Sequence, residues 1–305
     1  MSAPSEAPAG PSAGDALARL TAGDKAEVLV EALPYIRRFR GTTLVVKYGG
    51  NAMAGSAQLS LFAEDVVLLR SVGIDIVVVH GGGPQIGELM IRLGKVPEFV
   101  EGLRVTDADT LDIARMVLVG KVNRDIVGAL NTHGAPAVGV SGEDAGLLVA
   151  RQRSPELGFV GDIDQVRPAI LSRLLREELV PVVATIGSDG AGQAYNINAD
   201  TASGAIAEAL GAEKLVYLTD VEGLRADVED RASVISTLSV DALDAMIADG
   251  SVAGGMIPKA ASCVQAVKGG VGHAHILDGR VPHALLLEVF TRSGVGTMVG
   301  TTVEG

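Results

Sequence analysis

Two lysines and a carboxylate stand out among the residues able to do chemistry. Lys47 closes the apolar run Leu44-Val45-Val46 and directly precedes Gly49-Gly50, so its ammonium is expected to project beside a glycine loop. Lys259, after Gly254-Gly255-Met256-Ile257-Pro258, falls in the first turn of a predicted helix. The helix dipole disfavours a cation there, which calls for a compensating anion. Asn196-Ile197-Asn198-Ala199-Asp200 brings two amides and a carboxylate to a loop-to-helix junction, where Asp200 alone also reads as a plain N-cap. His80-Gly81-Gly82-Gly83-Pro84 and Ile186-Gly187-Ser188 are two further glycine stretches at the ends of predicted strands. Strand C-termini of open α/β sheets are where ligands bind, and glycines there let backbone N–H groups crowd onto an anion. The chain contains neither a GxxxxGK[ST] loop nor a GxGxxG fingerprint, so neither a P-loop nor a standard dinucleotide site is supported. The chemistry indicated is capture and charge neutralisation of a small anion.

The elements that must position these residues alternate. Thr42–Lys47, Ile74–His80, Ala137–Val140, Val180–Ile186, Lys214–Thr219 and His273–Leu277 read as buried strands. Between the first two lies a helical stretch with Leu61, Val66 and Leu69 on one face. Helices are expected at Pro84–Leu93, Gln165–Glu178, Asp200–Leu210, Val240–Ala248 and Met256–Lys268, with one or two more across Ala108–Thr132 and an extended or hairpin region at Pro97–Val105. Such alternation implies an α/β fold, an open αβα sandwich around a largely parallel sheet. Ahead of it, Asp24 with Glu27 three residues on reads as a helix cap, and Val28, Ala32, Ile36 and Phe39 follow at helical spacing until Gly41. Pro34 inside that pattern removes a backbone hydrogen bond and is expected to kink the helix. Twelve of the first 14 residues are Ala, Pro, Ser or Gly, which reads as a disordered tail. The expected organisation is a tail over 1–20, a kinked helix over 21–40, and two lobes, 41–203 and 204–305.

Composition narrows the classes. A net charge of −12 argues against nucleic-acid binding, which needs a basic face, but not against a small anionic substrate. Apolar residues make up 48% and aromatics only 3%, as expected of a core built from Val, Ile, Leu and Ala. Cys263 is the single cysteine, which excludes an intramolecular disulfide and a cysteine-rich zinc site. No apolar run approaches the ~18 residues of a membrane span, and residues 1 to 14 carry no signal-peptide pattern. A soluble, cytoplasmic protein is expected.

The segments KYGGNAM, VVVHGGGPQI, GLRVTD, YNINADTA, VYLTDVEGL and GGMIPK stand in an order and spacing that resembles the acetylglutamate kinases of the amino acid kinase family. The resemblance runs from about Ala26 to Val303 and implies an N-lobe that binds the amino-acid substrate and forms a dimer, and a C-lobe that binds ATP. It further implies that Lys47 and Lys259 stabilise the transferring phosphoryl group and that Asp200 holds both lysines. Gly49 and Gly50 would lie against the phosphates. Gly82 and Gly83 would bind the γ-carboxylate of N-acetyl-L-glutamate through their amides, Arg104 would pair with its α-carboxylate, and Asn196 would complete that pocket. Thr219 and Asp220 fall at the nucleotide edge, and Mg²⁺ would be held mainly by the ATP phosphates, with no metal site in the protein itself. The run HAHILDGRVPHALLLEVFTRSGVGT resembles the family's arginine-site signature: His275, Glu288 and Gly294 match its effector-contacting positions, and Tyr35 matches a contact from the N-terminal helix. Together with that helix, this implies an arginine-inhibited homohexamer, a trimer of dimers, in the second step of arginine biosynthesis, with a PII-type signalling protein as a further partner. Two alternatives remain at this stage: a sister kinase with another acceptor, and a non-catalytic sensor or assembly protein on the same fold.

Overall fold

The computed structural model describes residues 20–49, 55–227, 230, 233–252, 254–291 and 294–302. The expected tail, up to residue 19, and Gly50 lie outside the described residues. The chain divides after Arg38 into two units. The first carries all but the last residue of helix α1, Ala22–Phe39, which continues through Pro34. Its cap is not Asp24 but Thr21: the Thr21 N–H donates to Asp24 Oδ2 at 2.8 Å and the Asp24 N–H to Thr21 Oγ1 at 3.2 Å. This reciprocal pair satisfies two orphan N–H groups at once, with Asp24 as the acid three residues inside.

The second unit is built on strands β1 (Thr43–Tyr48), β2 (Asp75–His80), β5 (Ala137–Ser141), β8 (Val180–Ala184), β11 (Lys214–Thr219), β12 (Thr237–Ser239), β13 (His273–Asp278) and β14 (Gly296–Gly300). They form one sheet in the order β12-β14-β13-β11-β1-β2-β8-β5, in which only the β13–β14 pair is antiparallel. Every residue of β8 and β11 is buried, as the apolar runs require of strands covered on both sides. Val45, Val77 and Val79 pack in one cluster with Ala202 and Ile206 of α7 (Ala199–Leu210) and Ala260 and Val264 of α9 (Met256–Lys268). Alternate residues of a strand face opposite ways, and Leu44, Val46, Ile76 and Val78 are also fully buried, so the reverse face is covered as well. The helices α2 (Ser56–Ser71) and α5 (Asn123–His133) bury Val66, Leu69, Ile126 and Leu130.

One of these expectations needs correcting, and two features were not foreseen. Gln165 and Val166 belong to strand β7 (Val160–Val166), and helix α6 is confined to Ala169–Arg176, because Pro168 sets its start. The stretch from Ala108 is neither one regular helix nor two separate ones: α4 (Ala108–Arg115) runs into a π-helical turn, Met116–Val122, and on into α5. The other unforeseen feature is a second set of strands, β6 (Leu148–Gln152), β7, β9 (Ile186–Ser188) and β10 (Ala194–Ile197), which close on one another as a small barrel. Their short and partly polar sequences gave no apolar run to read. The remaining elements are α3 (Gly83–Arg92), the two-residue strands β3 (Phe99–Val100) and β4 (Leu103–Arg104), α8 (Val240–Ala248) and α10 (Ala284–Phe290). Ser203, where the lobe boundary was expected, falls within α7.

Candidate active site

β1 lies in the middle of the sheet, and its end carries Lys47. In register, Lys47 stands opposite Val79 of β2 and Tyr217 of β11. It shares the strand face of Val45, the face covered by α7 and α9. Both helices deliver a charged group to it. Asn198, not Asp200, caps α7, its side chain accepting the N–H groups of Asp200 (2.8 Å) and Thr201 (3.1 Å). Asp200 is thereby released from capping. Its Oδ1 lies 3.0 Å from Lys47 Nζ and its Oδ2 3.0 Å from Lys259 Nζ, all three side chains being nearly buried. The anion that the position of Lys259 required is therefore Asp200. Burial pushes the Asp200 carboxyl up, but Lys47 and Lys259 outweigh it and hold it below the usual carboxylate range. Burial lowers the Lys47 ammonium, with Lys259 adding to the effect and Asp200 opposing it.

This arrangement depends on how closely the chain segments approach one another. A Cβ on Gly49 would sit 2.8 Å from Lys47 Nζ, so glycine lets the ammonium fold over the loop without being displaced. A Cβ on Gly204 would overlap Ser262 Oγ, which donates to the Asp200 carbonyl at 2.8 Å and accepts from the Tyr217 hydroxyl at 2.6 Å. Gly204, Ser262 and Tyr217 hold α7 against α9 and thus fix the backbone of Asp200. None of the three carries a recognisable sequence signal, since a glycine, a serine and a tyrosine in regular elements read as packing.

A cleft of about 420 Å³ opens in front of the triad, lined among others by Lys47, Asp200, Gly81 to Gly83, Arg104, Asn196 and Asn198. Arg104 stands on β4, its guanidinium 4.7 Å from the centre of the Phe99 ring and its Nη2 donating to the Gly83 carbonyl at 2.8 Å. The Asn196 amide donates to Thr106 Oγ1 at 3.4 Å. Two lysines thus flank a single carboxylate, and Arg104 adds a further cation to the cleft, in a protein whose overall charge is −12. A second cavity, of about 160 Å³, is lined by Val221, Gly223, Leu224, Arg225, Ser251, Val252 and Met256. It adjoins in sequence Thr219 and Asp220, whose side chains bond to each other at 3.2 Å. The residues of this second cavity escaped sequence reasoning because they come from two loops. α9 begins at Met256 in this cavity and carries Lys259, which pairs with Asp200 of the first. Gly50 lies outside the described residues.

The model of the amino acid kinase family matches residues 42–278. The chain belongs to the amino acid kinase family. It is 54% identical over 286 residues to the acetylglutamate kinase of Saccharopolyspora erythraea, covering 92% of this chain and 94% of that one. It is 55% identical over 285 residues to the acetylglutamate kinase of Symbiobacterium thermophilum, covering 90% and 97%. Among solved structures it resembles N-acetylglutamate synthase from Neisseria gonorrhoeae, with a TM-score of 0.80 and 30% identity over 92% of this chain. The matched part is 64% of the synthase chain, which was determined with coenzyme A and N-acetyl-glutamate and, separately, with coenzyme A and L-arginine. As an amino acid kinase the chain is an enzyme that uses ATP, which accounts for a glycine-lined cleft with paired lysines at its Asp200.

His275, Glu288 and Gly294 also come together, away from this cleft. His275 Nδ1 lies 2.7 Å from Glu288 Oε1, and its Nε2 lies 3.0 Å from Lys214 Nζ. The other oxygen of Glu288 accepts the Val295 N–H at 3.0 Å beside Gly294, whose φ of +54° suits glycine. Burial pushes His275 down to about 4, so at neutral pH it is the uncharged link between a lysine and a carboxylate. Tyr35 lies on α1, in the other unit.

Loss of one charged donor from a site of this kind costs about 10²–10³ in kcat. Lys47→Ala and Lys259→Ala should each show a fall of that size at saturating substrates. A kcat within about threefold of wild type for either would remove that lysine from the reaction.

Proposed function

We propose that this kinase transfers the γ-phosphoryl group of ATP to the γ-carboxylate of N-acetyl-L-glutamate, forming N-acetyl-L-glutamyl 5-phosphate. The observation that carries this reading is the Lys47–Asp200–Lys259 triad at the mouth of a cleft that also holds Arg104 and the Gly81–Gly83 backbone. Curated relatives at 54–55% identity are named acetylglutamate kinases, and this supports the choice of acceptor. In this reading residues 41–203 bind the amino-acid substrate and residues 204–305 the nucleotide, with Gly49, Gly50, Thr219 and Asp220 on the nucleotide side.

The chemistry asks little of acid–base groups. A glutamate-type γ-carboxyl has a pKa of about 4.3, so at neutral pH the nucleophile is already ionised. The obstacle is the approach of two anions. Lys47 and Lys259, held apart by the two oxygens of Asp200, supply positive charge on either side of the moving phosphoryl group. The Gly82 and Gly83 amides orient the attacking carboxylate, while Arg104 grips the α-carboxylate and Asn196 closes the pocket. Mg²⁺ enters as part of the nucleotide substrate. Both oxygens of Asp200 are engaged by lysines, and among the described residues no cluster of three carboxylate, histidine or cysteine side chains could hold a metal.

The regulatory reading is that L-arginine, as end product, inhibits a homohexamer. It is supported by the buried Lys214–His275–Glu288 array, whose carboxylate could pair with a guanidinium, and by the exposed apolar residues Val28, Leu29, Val30 and Leu33 of α1, apolar surface suited to another copy's helix. The Neisseria gonorrhoeae synthase observed with L-arginine adds support. Arginine acts by binding one conformation better than another. A PII-type protein as partner rests on the resemblance alone.

Two measurements test these readings. In a coupled assay of ADP release, N-acetyl-L-glutamate should be turned over and free glutamate should not. Arg104→Lys, which loses the two-pronged grip on a carboxylate, should raise KM for N-acetyl-L-glutamate far more than KM for ATP. Equal effects on both, or a larger one on ATP, would contradict the placement of Arg104. For regulation, wild type should sediment as a hexamer and lose activity in arginine. Deletion of residues 1–40 should give a smaller, active, arginine-insensitive species, and Glu288→Ala a desensitised hexamer. A wild-type dimer indifferent to millimolar arginine would refute regulation while leaving the kinase reaction intact.

A further inference from the structure

His80 ends β2 but faces away from the lysines. Along the strand it alternates with Val79 and shares the side of Val78 and Ile76, so it stands behind the glycine loop rather than in the cleft. It is fully buried, and both ring nitrogens are engaged. Nδ1 lies 3.0 Å from the Gly81 carbonyl, and Nε2 lies 3.1 Å from the Asn123 amide nitrogen, which also donates to the Val182 carbonyl at 2.8 Å. The Asn123 side-chain oxygen is occupied by the Arg124 guanidinium, which fixes the amide's orientation. An amide nitrogen can only donate, so Nε2 must accept and Nδ1 must carry the proton. Burial, which pushes His80 down to about 4, keeps the ring neutral and preserves this tautomer across the physiological range.

The consequence follows from peptide geometry. Among the described residues no peptide is cis, so the Gly81 carbonyl and the Gly82 N–H point in opposite directions. Holding the carbonyl from behind aims the Gly82 N–H forward, toward the cleft that Gly81 to Gly83 line. The next peptide is held in the same way: the Gly82 carbonyl accepts the Ile86 N–H at 2.8 Å, which sets the Gly83 N–H. The two donors therefore differ in origin, one fixed by helix backbone and the other by a side chain. The π-turn explains how Asn123 comes to be there. Leu118 and Asn123 are five residues apart, one turn of a π-helix, so both face the glycine loop. Leu118 packs so tightly that a Cβ on Gly82 would lie 2.7 Å from its Cδ2.

We propose that His80, oriented by Asn123, is a positioning residue that aims and polarises the Gly82 N–H for the acceptor carboxylate. The hydrogen bond to the carbonyl also strengthens the N–H on the far side of the same peptide. The role rests on the carboxylate site proposed above, and the test separates the two.

In the full-length protein, His80→Leu removes the donor, whereas His80→Asn retains an amide near the position of Nδ1. His80→Leu should raise KM for N-acetyl-L-glutamate, or lower kcat, by at least tenfold, with KM for ATP within twofold of wild type. His80→Asn should recover most of that loss. If His80→Leu leaves both parameters within twofold, or if Asn is no better than Leu, the positioning role is wrong. Should the Leu variant fail to fold, ¹⁵N spectra of the wild-type enzyme decide. They should show His80 protonated on Nδ1 alone and the Gly82 amide proton moving downfield on addition of N-acetyl-L-glutamate. An Nε2–H tautomer, or an unmoved Gly82 amide in an enzyme that turns over N-acetyl-L-glutamate, would overturn the proposal. If wild type does not phosphorylate N-acetyl-L-glutamate at all, the carboxylate reading itself fails.

Discussion

Asp200 shares its two oxygens between two ammonium groups, and much of the fold can be read as the means of bringing those three charges together. The lysines are more than 200 residues apart in sequence and reach the carboxylate from a strand and a helix that meet only because the sheet is parallel and wound on both sides. Lys47 must end the central strand and point to the face that α7 and α9 cover. α7 must begin one residue before Asp200, so that Asn198 serves as the cap. α9 must lie against α7 closely enough that position 204 can be only glycine. Removing one partner from a buried charge pair typically costs about 3–5 kcal/mol, so the triad constrains the fold as strongly as it is constrained by it.

The electrostatic consequence is local. The protein as a whole is acidic, and nothing in its net charge would draw in a nucleotide or a dicarboxylate. The cleft reverses that sign with Lys47, Arg104 and backbone amides, with Lys259 behind Asp200, and the triad's side chains are largely removed from water, where charges act more strongly. Asp200 keeps the two ammoniums apart without cancelling both. Backbone donors need similar support, because an N–H held only by a loop can turn away. The glycine loop is backed by His80 and Asn123 on the reverse face of the sheet, so both sides of β2 contribute to the site.

How far the sequence disclosed this varied with the kind of signal. The apolar runs ending in Lys47 and His80 stand out because buried parallel strands are nearly continuous in Val, Ile and Leu, and the structure places both strands within a residue of expectation. The β6–β7–β9–β10 barrel was invisible, since strands such as Leu148–Gln152 carry polar and charged residues that break the pattern. Capping was ambiguous in the same way at two places. Asn198 and Asp200, like Thr21 and Asp24, are both competent caps, and only the three-dimensional demand on one of them, two lysines in the first case, decides between them. Gly204, Ser262 and Tyr217 act by proximity, which no single-sequence pattern encodes. The π-turn at Met116–Val122 was beyond reach because one added residue in a helical stretch leaves the hydrophobic period almost unchanged.

The account stands or falls on Asp200 as the counter-charge that holds both lysines in reacting position. The most direct measurement is the single-turnover rate of phosphoryl transfer in Asp200→Asn, which keeps the shape and removes the charge. It should be made on protein shown by its melting curve to be folded, with both substrates saturating. A fall of about two orders of magnitude or more is predicted, with nucleotide still bound, because the ammoniums would lose the partner that separates and aims them. A folded Asp200→Asn enzyme that transfers phosphoryl within about threefold of the wild-type rate would show that the lysines are placed by something else.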